Sequence, residues 1–140
     1  MTSPSSSLGF WLKRAQHAYR TRLDADLRPL GLTAPQYAVL ATVDAEAGAS
    51  NASLARAAFV TAQTMQGILS SLERSGLLTR TPRPQHGRVL ETSLTENGAA
   101  LLEQARERVE AVEALLLTAT HGESDQLVEM LSSIARDLAS

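Results

Sequence analysis

Arg80, Arg83, His86 and Arg88 crowd a stretch interrupted by Pro82, Pro84 and Gly87. A tight turn needs the prolines and the glycine, but nothing in folding asks for cations at an exposed tip. Guanidinium groups on a thin projection can enter a minor groove, which is narrow and strongly negative, while neighbouring cations meet phosphates and release counterions. Upstream, Ala62, Gln63, Thr64, Gln66 and Gly67 alternate with an apolar set, Met65, Ile68, Leu69 and Leu72, at helical spacing. Glutamine can bond bidentately to adenine, threonine can offer thymine a hydroxyl or a methyl, and the small residues let a backbone approach closely. The plainer accounts are a solvated polar helix face and a solvated arginine-rich loop.

Other chemistries find little support. His17, His86 and His121 fall in three different segments and the chain has no cysteine, so neither a metal pair nor a disulfide framework is expected. No Ser-His-Asp order, glycine-rich phosphate loop or paired-carboxylate cleft stands out, and Glu103, Glu107, Glu110 and Glu113 read as a solvated helix face. No catalytic residue, no metal and no cofactor is expected, and the chain does not read as an enzyme. The start of the chain lacks a basic stretch followed by an apolar run, and no apolar run approaches the length of a membrane span, so a cytoplasmic protein with no membrane partner is expected.

The net charge of −2 hides an asymmetry. Residues 1–53 are near neutral at +1, residues 54–94 carry five arginines against two glutamates for +3, and residues 95–140 carry −6. The middle of the chain is the part that attracts an anion.

The elements that must position these residues are readable from periodicity. At 140 residues, 44% of them hydrophobic, one domain is expected. Leu8, Leu12, Ala15, Tyr19, Leu23, Leu27 and Leu30 form the stripe of one long helix over 8–30, closed by Pro29 and Gly31. Thr33 caps a second helix with Pro35 in its first turn, ending before Gly48. A short third helix is capped at Ser50 or Asn51 and turns Leu54, Ala55 and Ala58 inward; after a tight turn at Phe59 and Val60, Thr61 caps a fourth that stops at Gly76. That pair is a helix-turn-helix. Two short strands, 77–81 and 88–94, flank the Pro/Gly tip and make it winged. Thr95 opens a long helix with a seam at Leu102, Ala105, Val109, Val112 and Leu116; "THGES" breaks it, and a last helix carries Leu127, Leu131, Ile134 and Leu138. Three such apolar stripes exceed what a small monomer buries, which argues for a homodimer.

In this order, "RPLGLTAPQYAVLATV", "SLARAAFVTAQTMQGILSSLERSGLLTR" and "PRPQHGRVLETSLTENGAALL" resemble the MarR family of bacterial winged-helix transcription regulators, over roughly residues 8–138. The resemblance implies a mainly α fold with a β-hairpin wing: one domain spanning 1–140, with dimerisation helices at 8–30 and 95–138 and the winged helix-turn-helix at 32–94. It implies a homodimeric repressor of a pseudo-palindromic double-stranded operator. The alternatives are a winged-helix protein-interaction module, or a helical dimer that binds small molecules without DNA. The surface expected at DNA comprises Asn51, Thr61, Ala62, Gln63, Thr64, Gln66, Gly67, Ser70, Arg83, His86, Gly87 and Arg88. The family's wing arginine falls on Arg88. His86 stands where the family usually has an aspartate, so operator affinity is expected to rise as pH falls through the titration of His86. The resemblance also implies a small aromatic effector between the dimer helices and the winged lobe, with Trp11, Arg14, Ala18 and Tyr37 as candidates. An arginine beside two aromatics suits an anionic ring compound; otherwise Trp11 and Tyr37 are dimer core and Arg14 a surface charge.

Overall fold

The structure is a computed structural model in which residues 4–82 and 90–139 are described. The first helix, α1 (Leu8–Leu27), starts at Ser7, whose hydroxyl accepts the Phe10 N–H at 3.1 Å. It stops short of the expected Leu30. Pro29 has no N–H to continue the α pattern, so residues Arg28–Leu30 tighten into a 3₁₀ turn, the Gly31 N–H bonds the Arg28 carbonyl, and Gly31 takes a left-handed φ of 76°. That turn drops Leu32 into the core.

Helix α2 (Ala34–Ala45) opens on a capping box. The Thr33 hydroxyl accepts the Gln36 N–H and the Gln36 side-chain oxygen accepts the Thr33 N–H. Asp24 of α1 accepts the Ala34 N–H at 2.7 Å, fixing the angle between the two helices. Ser50, rather than Asn51, caps α3 (Asn51–Ala58), and Thr61 caps α4 (Ala62–Arg74). The strands are β1 (Leu78–Pro82) and β2 (Leu90–Leu94), antiparallel, with Leu78 opposite Leu94 and Pro82 opposite Leu90.

Helix α5 (Glu96–Ala119) is anchored at its start by Thr95. The Thr95 hydroxyl accepts the Gly98 N–H and donates to the Gly76 carbonyl at 2.6 Å, while the Thr95 N–H bonds the Leu77 carbonyl. A Cβ on Gly98 would lie 2.1 Å from the Leu77 carbonyl oxygen, so only glycine lets α5 pass this close to the strand. Further along, Arg106 pairs with Asp44 of α2 at 2.8 Å and Arg108 donates to the Asp26 carbonyl of α1.

The core lies among α2, α3, α4, β1 and the first half of α5, built on Leu40, Leu54, Met65, Leu69, Leu72, Leu78 and Leu102, with Leu27 and Leu32 closing one side. The outer helices differ. Trp11 and Leu12 of α1 and Leu115, Leu116 and Leu117 of α5 are exposed, and α6 (Ser124–Ala139) has no buried residue, with Leu127, Val128, Met130, Leu131 and Leu138 all open. Among the described residues α6 makes no extensive packing contact with another element of its own chain.

Candidate nucleic-acid interface

The two short helices meet at Phe59, which holds a left-handed φ of 57° and gives its N–H to the carbonyls of Ala55 and Arg56. A side chain in that conformation costs on the order of 1–2 kcal/mol, and this one is not repaid by burial, since Phe59 is 95% exposed. Beyond it, the Thr61 hydroxyl accepts the Thr64 N–H at 3.1 Å and donates to the Thr64 hydroxyl at 3.0 Å. Thr64 is thereby left with its own proton to offer outward.

Helix α4 turns Met65, Leu69 and Leu72 into the core and half-buries Ile68. The remaining strip, Ala62, Gln63, Thr64, Gln66, Gly67 and Ser70, is exposed, with Thr61 at its start and Asn51 exposed at the start of α3. The α4 residues among them share the side of that helix opposite Met65, Leu69 and Leu72. Gly67 sits mid-helix with nothing within 4 Å of where a Cβ would lie, so packing within the chain does not require a glycine there. Between Glu46 and Glu73 there is no carboxylate at all, while Arg56 and Arg74 are exposed. Arg83, His86, Gly87 and Arg88, and with them the expected pH response of His86, lie outside the described residues.

Arg80 was not among the expected contacts. From β1 it lies over α4, its side chain 16% exposed, with Nη1 3.4 Å from Oε1 of Gln66 and Nη2 3.4 Å from Oε1 of Glu73. The residue is visible in the sequence, but its neighbours on another element are not.

A cavity of about 450 Å³ opens between α1, α2, α5 and the α3–α4 turn, walled by Tyr19, Leu23, Tyr37, Phe59 and Val109, with Gln16 and Arg20 at polar points. Of the four residues expected at an effector, only Tyr37 lines it. Trp11, Arg14 and Ala18 do not, because their stripe is centred roughly 140° around α1 from that of Gln16, Tyr19 and Leu23. The Trp11 indole donates to the Ser5 carbonyl, and the Arg14 guanidinium sits 5.9 Å from the Trp11 ring and 6.0 Å from Phe10 rather than beside Tyr37. Tyr19, by its spacing a member of the apolar stripe of α1, lines the cavity instead. Arg20 is held by Asp24 at 2.9 Å. Burial raises the Tyr19 phenol above its ordinary 10.0, with Glu113 next; burial also raises Tyr37, with Arg106 opposing and Glu110 and Glu103 adding. In both cases the surroundings favour the neutral phenol over the phenolate.

Among the described residues no group of His, Cys, Asp or Glu is arranged to hold a metal, and no helix is long and apolar enough to cross a membrane.

The MarR family model matches residues 30–89. The HTH-type transcriptional repressor Rv2887 of Mycobacterium tuberculosis is 36% identical over 131 residues, covering 93% of this chain and 94% of the relative. The structure is similar to that of Rv2887 in complex with salicylic acid, with a TM-score of 0.74, 35% identity, and 92% and 96% of the two chains covered. It is also similar to the transcriptional repressor CouR bound to a 23-mer DNA duplex, with a TM-score of 0.85, 32% identity, and 94% of each chain covered. CouR of Rhodococcus jostii RHA1 bound to p-coumaroyl-CoA has a TM-score of 0.84 at 26% identity, with 99% and 96% covered. With a repressor of this identity matched along nearly its whole length and the family model lying over the helix-turn-helix itself, the chain belongs to the MarR family of winged helix-turn-helix transcription regulators.

Proposed function

We propose that the chain is a homodimeric repressor that places one α4 from each copy into successive major grooves of a pseudo-palindromic duplex and lets go when a small aromatic acid fills the cavity. The observation that carries this is the strip Ala62 to Ser70, polar or small throughout, exposed, and free of carboxylates from Glu46 to Glu73. A solvated helix face has no need to exclude acids; a face that meets phosphates does. Thr64, Gln63 and Gln66 supply donors and acceptors to base edges, Asn51 and Thr61 stand beside the backbone, and the wing residues Arg83, His86, Gly87 and Arg88 follow the adjacent groove.

Pairing of two copies is supported by the apolar residues left open on α1, α5 and α6, since a 16-residue helix that buries none of its side chains is marginal in water. The domain then divides into dimerisation helices at 8–30 and 95–138 around the winged helix-turn-helix at 32–94. The cavity touches both parts: Tyr19 and Val109 belong to the dimerisation helices, and Phe59 to the turn that leads into α4. A ligand filling it bears on the angle between them. Structures of the relatives with salicylic acid and with p-coumaroyl-CoA support an aromatic ligand.

The test is fluorescence anisotropy on duplexes flanking the protein's own gene, against random duplex at matched salt. Binding tighter than random by about a thousandfold or more, weakened by an aromatic acid whose own affinity falls equally when operator is added, is the expected result. Equal affinity for random duplex points to a protein-binding winged helix, and ligand binding indifferent to DNA points to a small-molecule binder; either removes the proposal.

A further inference from the structure

Resting on the DNA-binding function proposed above, we infer that Arg80 is a positioning residue that fixes the side-chain amide of Gln66 with its N–H₂ group outward, so that Gln66 selects guanine rather than adenine. The starting point is the register of the wing. Leu78 and Arg80 fall on the same side of β1, and Leu78 is buried, so Arg80 is directed over α4 and away from solvent. Gln66 and Glu73 are two turns apart on α4 and share a face, and the guanidinium spans them at 3.4 Å each. Its Nε is buried without a hydrogen-bond partner. A cation in such a place is held by the two oxygens that remain to it, those of Gln66 and Glu73.

Which way the Gln66 amide points is then a matter of chemistry. Guanidinium carries donors only, so the amide can face it with oxygen and not with nitrogen. With Oε1 drawn toward the Arg80 cation, the end of the amide turned away from it is N–H₂, a donor, and any second acceptance by Oε1 competes with that charge. Bidentate pairing with adenine needs the reverse capacity as well, an oxygen free to accept from the adenine amino group while the nitrogen donates to N7. Guanine offers two acceptors side by side, O6 and N7, and a single nitrogen bearing several hydrogens can satisfy both, as a lysine does. Adenine offers N7 next to a donor that meets nothing. The elementary expectation for a glutamine on a recognition helix, adenine, is reversed by a neighbour on the wing.

The experiment first locates the base position at which Gln66→Ala removes discrimination, then measures binding of duplexes carrying G·C, A·T or 7-deazaguanine there. The native protein is expected to favour guanine over adenine about tenfold and to lose most of that preference with 7-deazaguanine, one such loss being the effect of an acceptor removed. Arg80→Met frees the amide to turn, so the ranking moves to adenine equal to or above guanine. Arg80→Lys keeps a donor-only cation and keeps guanine preferred. The native-protein panel, at the position that Gln66→Ala locates, does not use Arg80→Met, so poor folding of that variant still leaves a decision. Native preference for adenine, no position responding to Gln66→Ala, or Arg80→Met weakening every duplex by one factor with the ranking unchanged would each overturn the inference while leaving DNA binding intact. Failure of the native protein to distinguish any duplex from random would instead remove the underlying function.

Discussion

Gly67→Ala separates what α4 needs in order to fold from what it needs in order to work. A glycine in a helix interior costs roughly 0.5–1 kcal/mol relative to alanine, through backbone entropy alone. A Cβ at Gly67 meets nothing within 4 Å, so no strain offsets the gain, and each protomer should become more stable by that amount. For a chain of this size the melting temperature should rise by roughly 2–4 °C, read by calorimetry at fixed protomer concentration because dimer stability depends on it. Operator affinity should move the other way. A methyl carbon needs about 3.5–4 Å from any partner carbon, so a base edge or sugar seated against the bare Gly67 backbone is pushed off. Flanked by Gln63 and Ser70 on the exposed strip, such a shift also misaligns both neighbours, and a loss of about tenfold, or 1.4 kcal/mol, is expected. A fall in stability refutes the open-space argument. A rise with operator affinity unchanged refutes the claim that DNA comes close to this stretch of backbone.

Gly98→Ala has the opposite logic: the added Cβ lies 2.1 Å from the Leu77 carbonyl oxygen, backbone against backbone, so denaturant midpoints should show a loss of roughly 3 kcal/mol, and an unchanged midpoint contradicts the packing. Leu131→Glu on α6 should raise the dimer dissociation constant roughly a hundredfold or more in sedimentation, because a symmetric contact repeats the cost of each desolvated carboxylate; an unchanged constant places the contact elsewhere. The two tyrosines, Tyr19 and Tyr37, should form phenolate only above the ordinary value of 10.0. Since the fold favours their neutral forms, that contribution to stability is whole below pH 10 and is lost as pH climbs through the raised values; a phenolate absorbance midpoint at or below 10.0 contradicts the cavity's shielding.

What could be read from the sequence was whatever depends on near neighbours. The caps at Thr33, Thr61 and Thr95 and the left-handed stops at Gly31 and Gly76 are local chemistry, and helix spacing alone separates Met65, Leu69 and Leu72 from the exposed strip. The first helix ends at Leu27 rather than Leu30 for an equally local reason, since proline's missing donor acts one turn ahead of where the apolar stripe runs out. What was not legible depends on residues far apart in the chain. The cavity forms where α1, α2, α5 and Phe59 happen to meet, and periodicity does not say which stripe of α1 faces it; Tyr19 and Arg20 do, Trp11 and Arg14 do not. Likewise Arg80 counts in sequence as one more wing cation, and only the crossing of β1 over α4 gives it Gln66 and Glu73.

The central claim is that paired copies of α4 occupy the major groove at two places one helical turn apart. Methylation interference at guanine N7, on an operator found by footprinting, reads that groove directly. Two clusters of interfering guanines centred about 10 base pairs apart, symmetric about a dyad and weakened together by Gln66→Ala, are the expected result. A single cluster, or full binding to duplex methylated throughout the protected region, would contradict it.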